Sequence, residues 1–445
     1  MKQVDLTTGK IKNKLWAFAL PLMFSNLLQQ LYNLVDTWVV GRFVGSNALA
    51  AVGSAYTLMT FLTSIIIGLC LGASAFFSMA YGQKDIEKLK NAKFLSVSLI
   101  AFVSVIIFAV VFWQCDNIIS LLQVPKEIAG DERVYLMCVF FGIFATFIYN
   151  YYSNFLRAIG NSSAGLVFLA VSVVLNVVLD FYFVAFLKLG IKGAAQATVI
   201  SQYVSAFCIA LYSYLKYPLL RIKRNNIKFD KPVLKNILSL SVFTCLQQSV
   251  MNLGILAVSG IVNSFGASVM SAFAVAVKID TLAYMPVQDF GNAFSTFVAQ
   301  NYGAGKRKRI KDGIKVSLLN VAIFCVAISV IVCALAPEFM KIFINSNELE
   351  IINIGTRYLR IEGAFYIGIG ILFMLYGYFR AVNKPLVSVW LTVISLGLRV
   401  LLSAFLSKIA SIGVLGIWIS IPIGWFVADF VGIIYYLLSE KRRVE

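Results

Sequence analysis

The stretch LWAFALPLMFSNLLQQLYNLVDTWVVG, residues 15–41, decides the fold class. It runs for 27 positions with one charged side chain, Asp36. A helix crosses the hydrocarbon core of a bilayer in roughly 20 residues, so this stretch is long enough to span. A basic start followed by an apolar run also resembles a signal peptide. No small-residue cleavage site follows, so the segment reads as a retained first helix. Comparable apolar runs follow at about 48–80, 94–114, 133–156, 164–187, 193–215, 237–262, 267–300, 314–336, 356–379, 386–407 and 414–438, which makes twelve. The 445 residues are 60% hydrophobic and 13% charged. The charged share is about half that of a soluble domain. Soluble, disordered and disulfide-scaffold proteins are excluded, and the expectation is an all-α integral membrane protein of twelve transmembrane helices.

Charge sets the topology. With the N-terminus inside, 27 of the 38 Lys and Arg fall on the cytoplasmic side, eight outside and three within spans. That asymmetry is the positive-inside pattern, and it places both termini in the cytoplasm. The net charge of +18 is thereby explained without nucleic acid. The basic connector 216–235 is placed to meet anionic lipid. Histidine is absent, which removes Ser-His-Asp and Cys-His catalysis. The seven cysteines form no C-x-x-C pair, so inert thiols are expected rather than a metal or disulfide framework.

An internal repeat runs through the chain. Leu28-Gln29-Gln30 returns as Leu246-Gln247-Gln248, Tyr81-Gly82 as Tyr302-Gly303, Arg157-Ala158 as Arg380-Ala381 and Gly190-x-x-Gly193 as Gly413-x-x-Gly416. Each half holds six spans, so the halves share one orientation about an axis along the membrane normal. The expected domains are an N-terminal six-helix lobe (1–215), the connector (216–235) and a C-terminal six-helix lobe (236–445), around a central cleft.

Ionisable side chains inside a bilayer are costly, so each is a functional candidate. Six acids qualify: Asp36, Asp180, Asp280, Asp289, Glu362 and Asp429. Asn26, Gln29, Gln30, Asn33, Asp36 and Thr37 recur every three or four residues and form one polar stripe on the first helix. The fifth span carries Ser172, Asn176 and Asp180 at i, i+4 and i+8, and the sixth carries Thr198, Gln202 and Ser205. Counted from Arg42, Lys188 and Lys192, the residues Asp36, Asp180 and Thr198 share a depth of roughly 9–12 Å below the outer boundary. Asp36, Asn176, Asp180 and Thr198 are therefore the expected coupling-ion site. Oxygen ligands of this kind suit sodium. A carboxyl pair in a low dielectric equally suits a proton. Both ions stay open. The repeat places Asp36 near Gly254, Asn176 at Arg399 and Asp180 at Ser403, so the site is expected in the N-terminal lobe only. Lys278, Asp289, Arg360, Glu362 and Arg399 are expected to form internal ion pairs, with a role for Asp289 in holding a cationic substrate as the sharper alternative. Asp280 stands too near Lys278 in sequence to assign. Gln29, Asn33, Asn154, Gln202, Gln248 and Asp289 are the candidate substrate-cavity residues, and Pro21 is expected to kink the first helix or mark its start. Aromatics at 14% suit flat lipophilic cations.

Pro21-Leu22 through Asp36-Thr37, Gly41, Gly45 and Ala50-Ala51-Val52-Gly53 resemble the multidrug and toxic compound extrusion (MATE) family. So do Tyr81-Gly82-Gln83, Arg157-Ala158-Ile159-Gly160-Asn161 and Gln300-Asn301-Tyr302-Gly303-Ala304-Gly305. The resemblance covers essentially the whole chain. It implies a secondary antiporter, not an enzyme, that expels organic cations in exchange for protons or sodium. It also implies a DinF-like ion site at Asp36, Asn176, Asp180 and Thr198, a helix bend at Pro21 and a cavity role for Gln29. The NorM-like branch places further acids on the seventh and tenth spans; here the seventh has Gln247, Gln248 and Asn252 and no acid, while Glu362 is near the outer end of the tenth, a departure from that branch. The expected protein is a multi-pass, monomeric transporter of the cytoplasmic membrane. It needs no cofactor besides its coupling ion, and its partners are small organic cations and lipid. A lipid-linked precursor flippase or an exporter of a specific metabolite in the same superfamily is the alternative, but intramembrane acids outnumber bases six to three, which favours cationic cargo.

Overall fold

The computed structural model describes residues 3–122, 124–409 and 411–441, so Lys2, Arg442 and Arg443 of the inner basic set lie outside the described residues. The chain is helical throughout, with no strand among the described residues. The long helices are α1 (Ile11–Phe43), α2 (Ser46–Gly82), α3 (Ile86–Trp113), the short α4 (Cys115–Leu121), α5 (Lys126–Val139), α6 (Gly142–Ala158), α7 (Ser163–Asp180) and α8 (Gly190–Lys216). They continue as α9 (Lys231–Asn263), α10 (Ala267–Gly303), α11 (Arg307–Lys341), α12 (Leu349–Gly363), α13 (Tyr366–Ala381), α14 (Pro385–Leu406) and α15 (Leu415–Lys441). Among the described residues, nine helices are long and apolar enough to cross a membrane, and two bent pairs bring the number to 11. The remaining span, α1, is 33 residues long, and its Asn, Gln and Asp side chains lower its apolar character. The fold is the twelve-span helical one.

The fourth and tenth spans are broken rather than continuous. α5 meets α6 at 44° and α12 meets α13 at 52°. Both breaks fall at the same point of the internal repeat, because α5 begins at 126 and α12 at 349. Helix lengths repeat as well: α1 and α9 have 33 residues each, α2 and α10 have 37 each. By these bounds Asp36 corresponds to Leu256, two residues beyond the Gly254 read from the sequence alone. The correction leaves the repeat partner apolar.

The chain divides into two compact units, Met1–Thr7 with Trp16–Cys245 and Thr8–Leu15 with Leu246–Glu445. The division falls inside α9, and small residues explain why. A Cβ on Gly72 would stand 2.4 Å from the Leu240 carbonyl oxygen and 2.5 Å from the Ser241 Cα, and one on Gly68 would stand 2.6 Å from the Cys245 Cα. Glycine at i and i+4 lets two backbones approach where lipid offers no hydrophobic driving force. Ser241 Oγ donates to the Leu69 carbonyl at 3.0 Å and seals the contact. The first half of α9 therefore packs with the first unit.

Within that unit the connector is fastened to α3. Asn91 Nδ2 donates to the carbonyls of Asn226 (3.1 Å) and Lys228 (2.8 Å), and Asn226 donates to Glu87. Lys93 is buried, donates to the Leu220 carbonyl at 3.3 Å and lies 4.5 Å from the centroid of the Phe155 ring. The N-terminal residues dock on the turn after α6, with Val4 N donating to the Gly160 carbonyl at 2.8 Å. Gly160 has φ +95°, and a Cβ there would meet the Val4 oxygen at 2.3 Å, so both conformation and space call for glycine.

Candidate functional site

Four helices of the first unit build the site. Asp36 stands near the C-terminal end of α1, the last residue of α7 is Asp180, Tyr135 lies on α5, and Thr198 lies on α8. Asp36, Asn176, Asp180 and Thr198 are all buried, Asn176 and Asp180 completely. The Asp36 and Asp180 carboxyl groups face each other, with no basic side chain among the groups acting on either in the described residues. Asn176 sits one turn before Asp180 on the same face of α7. Tyr32, one turn before Asp36, donates its hydroxyl to Thr198 Oγ1 at 3.4 Å and so ties α1 to α8 beside the carboxyl pair. Tyr135 is buried against the same two acids and Tyr32. After Asp180 the backbone widens into a π-turn over Phe181–Phe186. Such turns frequently mark functional positions.

The unsatisfied atoms define what the site can do. Asp36 Oδ1, both Asp180 oxygens and both polar atoms of Asn176 are buried without a hydrogen-bond partner. Buried polar groups are rarely left so, because each costs roughly 1–3 kcal/mol. Carboxylate, amide and hydroxyl oxygens form a hard donor set that fits a sodium ion. A proton held between the two carboxyls satisfies the same charge balance.

Tyr32 and Tyr135 are the residues that sequence reasoning missed. Tyr32 is spaced four residues from Asp36, so the stripe itself carried the signal; an aromatic in a span reads first as an interfacial or lipid-facing ring.

The cavity candidates are dispersed. Asn33 Nδ2 lies 3.4 Å from the Tyr56 hydroxyl of α2, and Gln29 is half-buried two turns before Asp36. Gln202 is one turn after Thr198, and its Oε1 has no hydrogen-bond partner. Asn154 belongs to a different cluster: it donates to the Asn150 carbonyl, accepts from Arg157, and its own carbonyl accepts from Ser74. Gln248 lies on α9 and buried Asp289 on α10, both in the second unit. Pro21 lies inside α1 with the helix unbroken around it, and Ser25 Oγ donates to its carbonyl at 2.7 Å. Proline and back-bonding serine both favour bending there.

The expected ion pairs of the second unit take another form. Lys278 and Arg360 point outward, and Arg360 Nε donates to the Cys333 carbonyl at 3.2 Å. Long cationic side chains of this kind keep their charged heads at the surface rather than beside buried acids. Buried Asp280 and Glu362 instead face each other, Tyr366 and Tyr358 flank them, and the Arg399 guanidinium is the nearby positive charge.

The sequence profile of one family, MatE, matches residues 21–182 and 244–405, the two halves of the repeat. Among curated proteins, the "Probable multidrug resistance protein YpnP" of Bacillus subtilis (strain 168) is 30% identical over 447 residues, covering 100% of this chain and 99% of the relative. The "Probable multidrug resistance protein YoeA" of the same organism is 30% identical, covering 98% and 97%. Among solved structures, a MOP superfamily transporter from Pyrococcus furiosus Vc1 (DSM3638) superposes with a TM-score of 0.92 at 23% identity, covering 99% of this chain and 98% of that one.

Proposed function

The chain belongs to the MatE family of multi-pass membrane transporters, and from that premise we propose that it exports small lipophilic organic cations across the cytoplasmic membrane in exchange for a proton or sodium ion. The observation that carries the reading is the buried Asp36–Asp180 pair with its unsatisfied oxygens and no compensating base among the described residues. Two such carboxylates are completed by one small cation. Asn176 and Thr198 add neutral oxygens, and Tyr32 fixes the position of Thr198. The names of the curated relatives support drug export as the activity. The acids within the spans support cationic cargo, and the aromatic content supports flat, apolar ones.

The proposed cycle uses alternating access. Uptake of the coupling ion at Asp36 and Asp180 from outside changes the charge on α1 and bends it at Pro21, which weakens the hold on the cargo. Cargo leaves outward, and the ion is released inside. Exchange is driven only by the difference in affinity between the two states. Both termini are cytoplasmic in this reading, and the functional protein is a monomer.

The test is dye efflux from proteoliposomes under a pH gradient alone and under a sodium gradient alone. One gradient should drive ethidium out against its concentration. Downhill leak that neither gradient affects would replace the antiporter with a channel. Transport of a lipid-linked pyrophosphate in place of ethidium would replace it with a flippase. A finer expectation concerns Tyr32. Tyr32→Phe deletes one hydroxyl hydrogen bond, about 1 kcal/mol. The coupling-ion concentration for half-maximal efflux should rise about fivefold at unchanged maximal rate. An unaltered ion dependence would remove Tyr32 from the site.

A further inference from the structure

The second unit contains a buried cluster that the proposed cycle does not use. Asp280 on α10 and Glu362 on α12 are each less than 5% exposed. Asp280 Oδ1, Glu362 Oε1, Tyr366 Oη and Arg399 Nε are buried without a hydrogen-bond partner. Tyr358 is held beside Glu362 by an edge contact with Trp418 at 4.9 Å and one with Phe273 at 5.6 Å.

The internal repeat relates this cluster to the first site. The two matched halves, 21–182 and 244–405, are separated by 223 residues. That offset carries Tyr135 onto Tyr358 and Asn176 onto Arg399. In both units, then, a buried tyrosine from the first half of a broken span and a side chain from the following span meet two facing carboxyl groups. The acids arrive from different helices in the two units, but the charge arithmetic matches. Two carboxylates alone carry −2, and one bound cation brings the first site to −1. Two carboxylates with a guanidinium are already at −1. Arg399 does covalently what an ion does reversibly.

We propose that the Asp280–Glu362–Arg399 cluster is the repeat-related counterpart of the coupling site with its cation built in, so that Arg399 limits the protein to one exchangeable cation. A guanidinium cannot lose its proton in a protein and cannot leave. A second monovalent cation would meet the Arg399 charge in a low dielectric, where like charges repel strongly. The inference rests on reading Asp36 and Asp180 as the exchangeable site, and the experiment separates the two ideas.

Coupling ions bound per full-length chain are counted in two ways: radiolabelled sodium retained, and protons released into weakly buffered solution when ethidium is added. The wild type should bind one, and the double variant D36N/D180N should bind none although Asp280 and Glu362 are intact. Arg399→Asn installs the residue found at position 176 and should double the count relative to wild type. Arg399→Lys keeps the charge and should leave the count at one. If Arg399→Asn does not fold, D36N/D180N decides alone, since both changes are isosteric. A double variant that keeps half of the wild-type count means that the second cluster already exchanges its ion, and the proposal fails while the coupling reading stands. A double variant that keeps the full count overturns both. A folded Arg399→Asn protein that still binds only one ion overturns the proposal alone.

Discussion

Asp36→Asn should abolish gradient-driven efflux while the protein still inserts, folds and reaches the membrane in wild-type amount. The substitution keeps the shape of the side chain and removes its charge. Asp180 then faces an amide that can donate to it, so the buried pair no longer requires a cation. A transporter that binds no coupling ion, or binds it equally in both states, has nothing to shift its conformational equilibrium. Efflux under either gradient should fall at least about tenfold, toward the level of empty vesicles, because no differential binding is left. Ethidium binding in detergent should persist, since in the proposed cycle the carboxyl pair takes up the coupling ion rather than the cargo. Asp180→Asn should match it. Drug resistance in cells carrying Asp36→Asn at the wild-type level, with equal protein in the membrane, would remove the carboxyl pair from the mechanism.

The second large effect is structural. Gly72→Val places a branched side chain where even a single Cβ would stand 2.4 Å from a backbone oxygen of α9. The obstacle is main chain, so no side-chain rotation relieves it, and the two helices must separate. That separation also breaks the Ser241–Leu69 hydrogen bond. Overpacking ordinarily costs about 1–3 kcal/mol, and a backbone-to-backbone clash belongs at or beyond the upper end. The purified protein should unfold at a markedly lower temperature, or aggregate during extraction. Gly53 on the same helix is the control: it is exposed and has no heavy atom within 4 Å of an added Cβ. Gly53→Ala should leave the unfolding temperature unchanged or raise it, because alanine is the better helix former. Equal behaviour of the two variants would mean that α2 and α9 do not meet as described.

What the sequence disclosed and what it hid follow from the geometry of helices. The twelve spans were legible because a run of apolar residues long enough to cross a bilayer has few other uses. Asp36 and Asp180 could be placed at one level because depth along a helix is counted from the nearest basic loop residue. Their side chains do face one another. The breaks at Phe140–Phe141 and Ala364–Phe365 were hidden, since hydropathy does not register a change of helix direction. Asp280 was hidden for a different reason. Lys278, two positions earlier, suggested a local partner, but residues at i and i+2 point to different sides of a helix. Lys278 is exposed and Asp280 is buried. Tyr32 and Tyr135 were masked by their type, because phenolic rings are expected at membrane interfaces whatever else they do. The packing of Asn154 with Asn150, Arg157 and Ser74 could not be read at all, because helical periodicity gives the face of one helix but not the identity of its neighbour.

The fit of α9 against α2 has a bearing on anyone who would build hybrids from this protein and its relatives. The charged linker looks like the natural seam at which to swap one half for another. A graft joined there would carry residues 231–245 from the donor, and the grooves at Gly68 and Gly72 would receive a foreign ridge. Segments 60–75 and 231–245 should travel together, and a hybrid that respects this pairing should be the one that survives extraction.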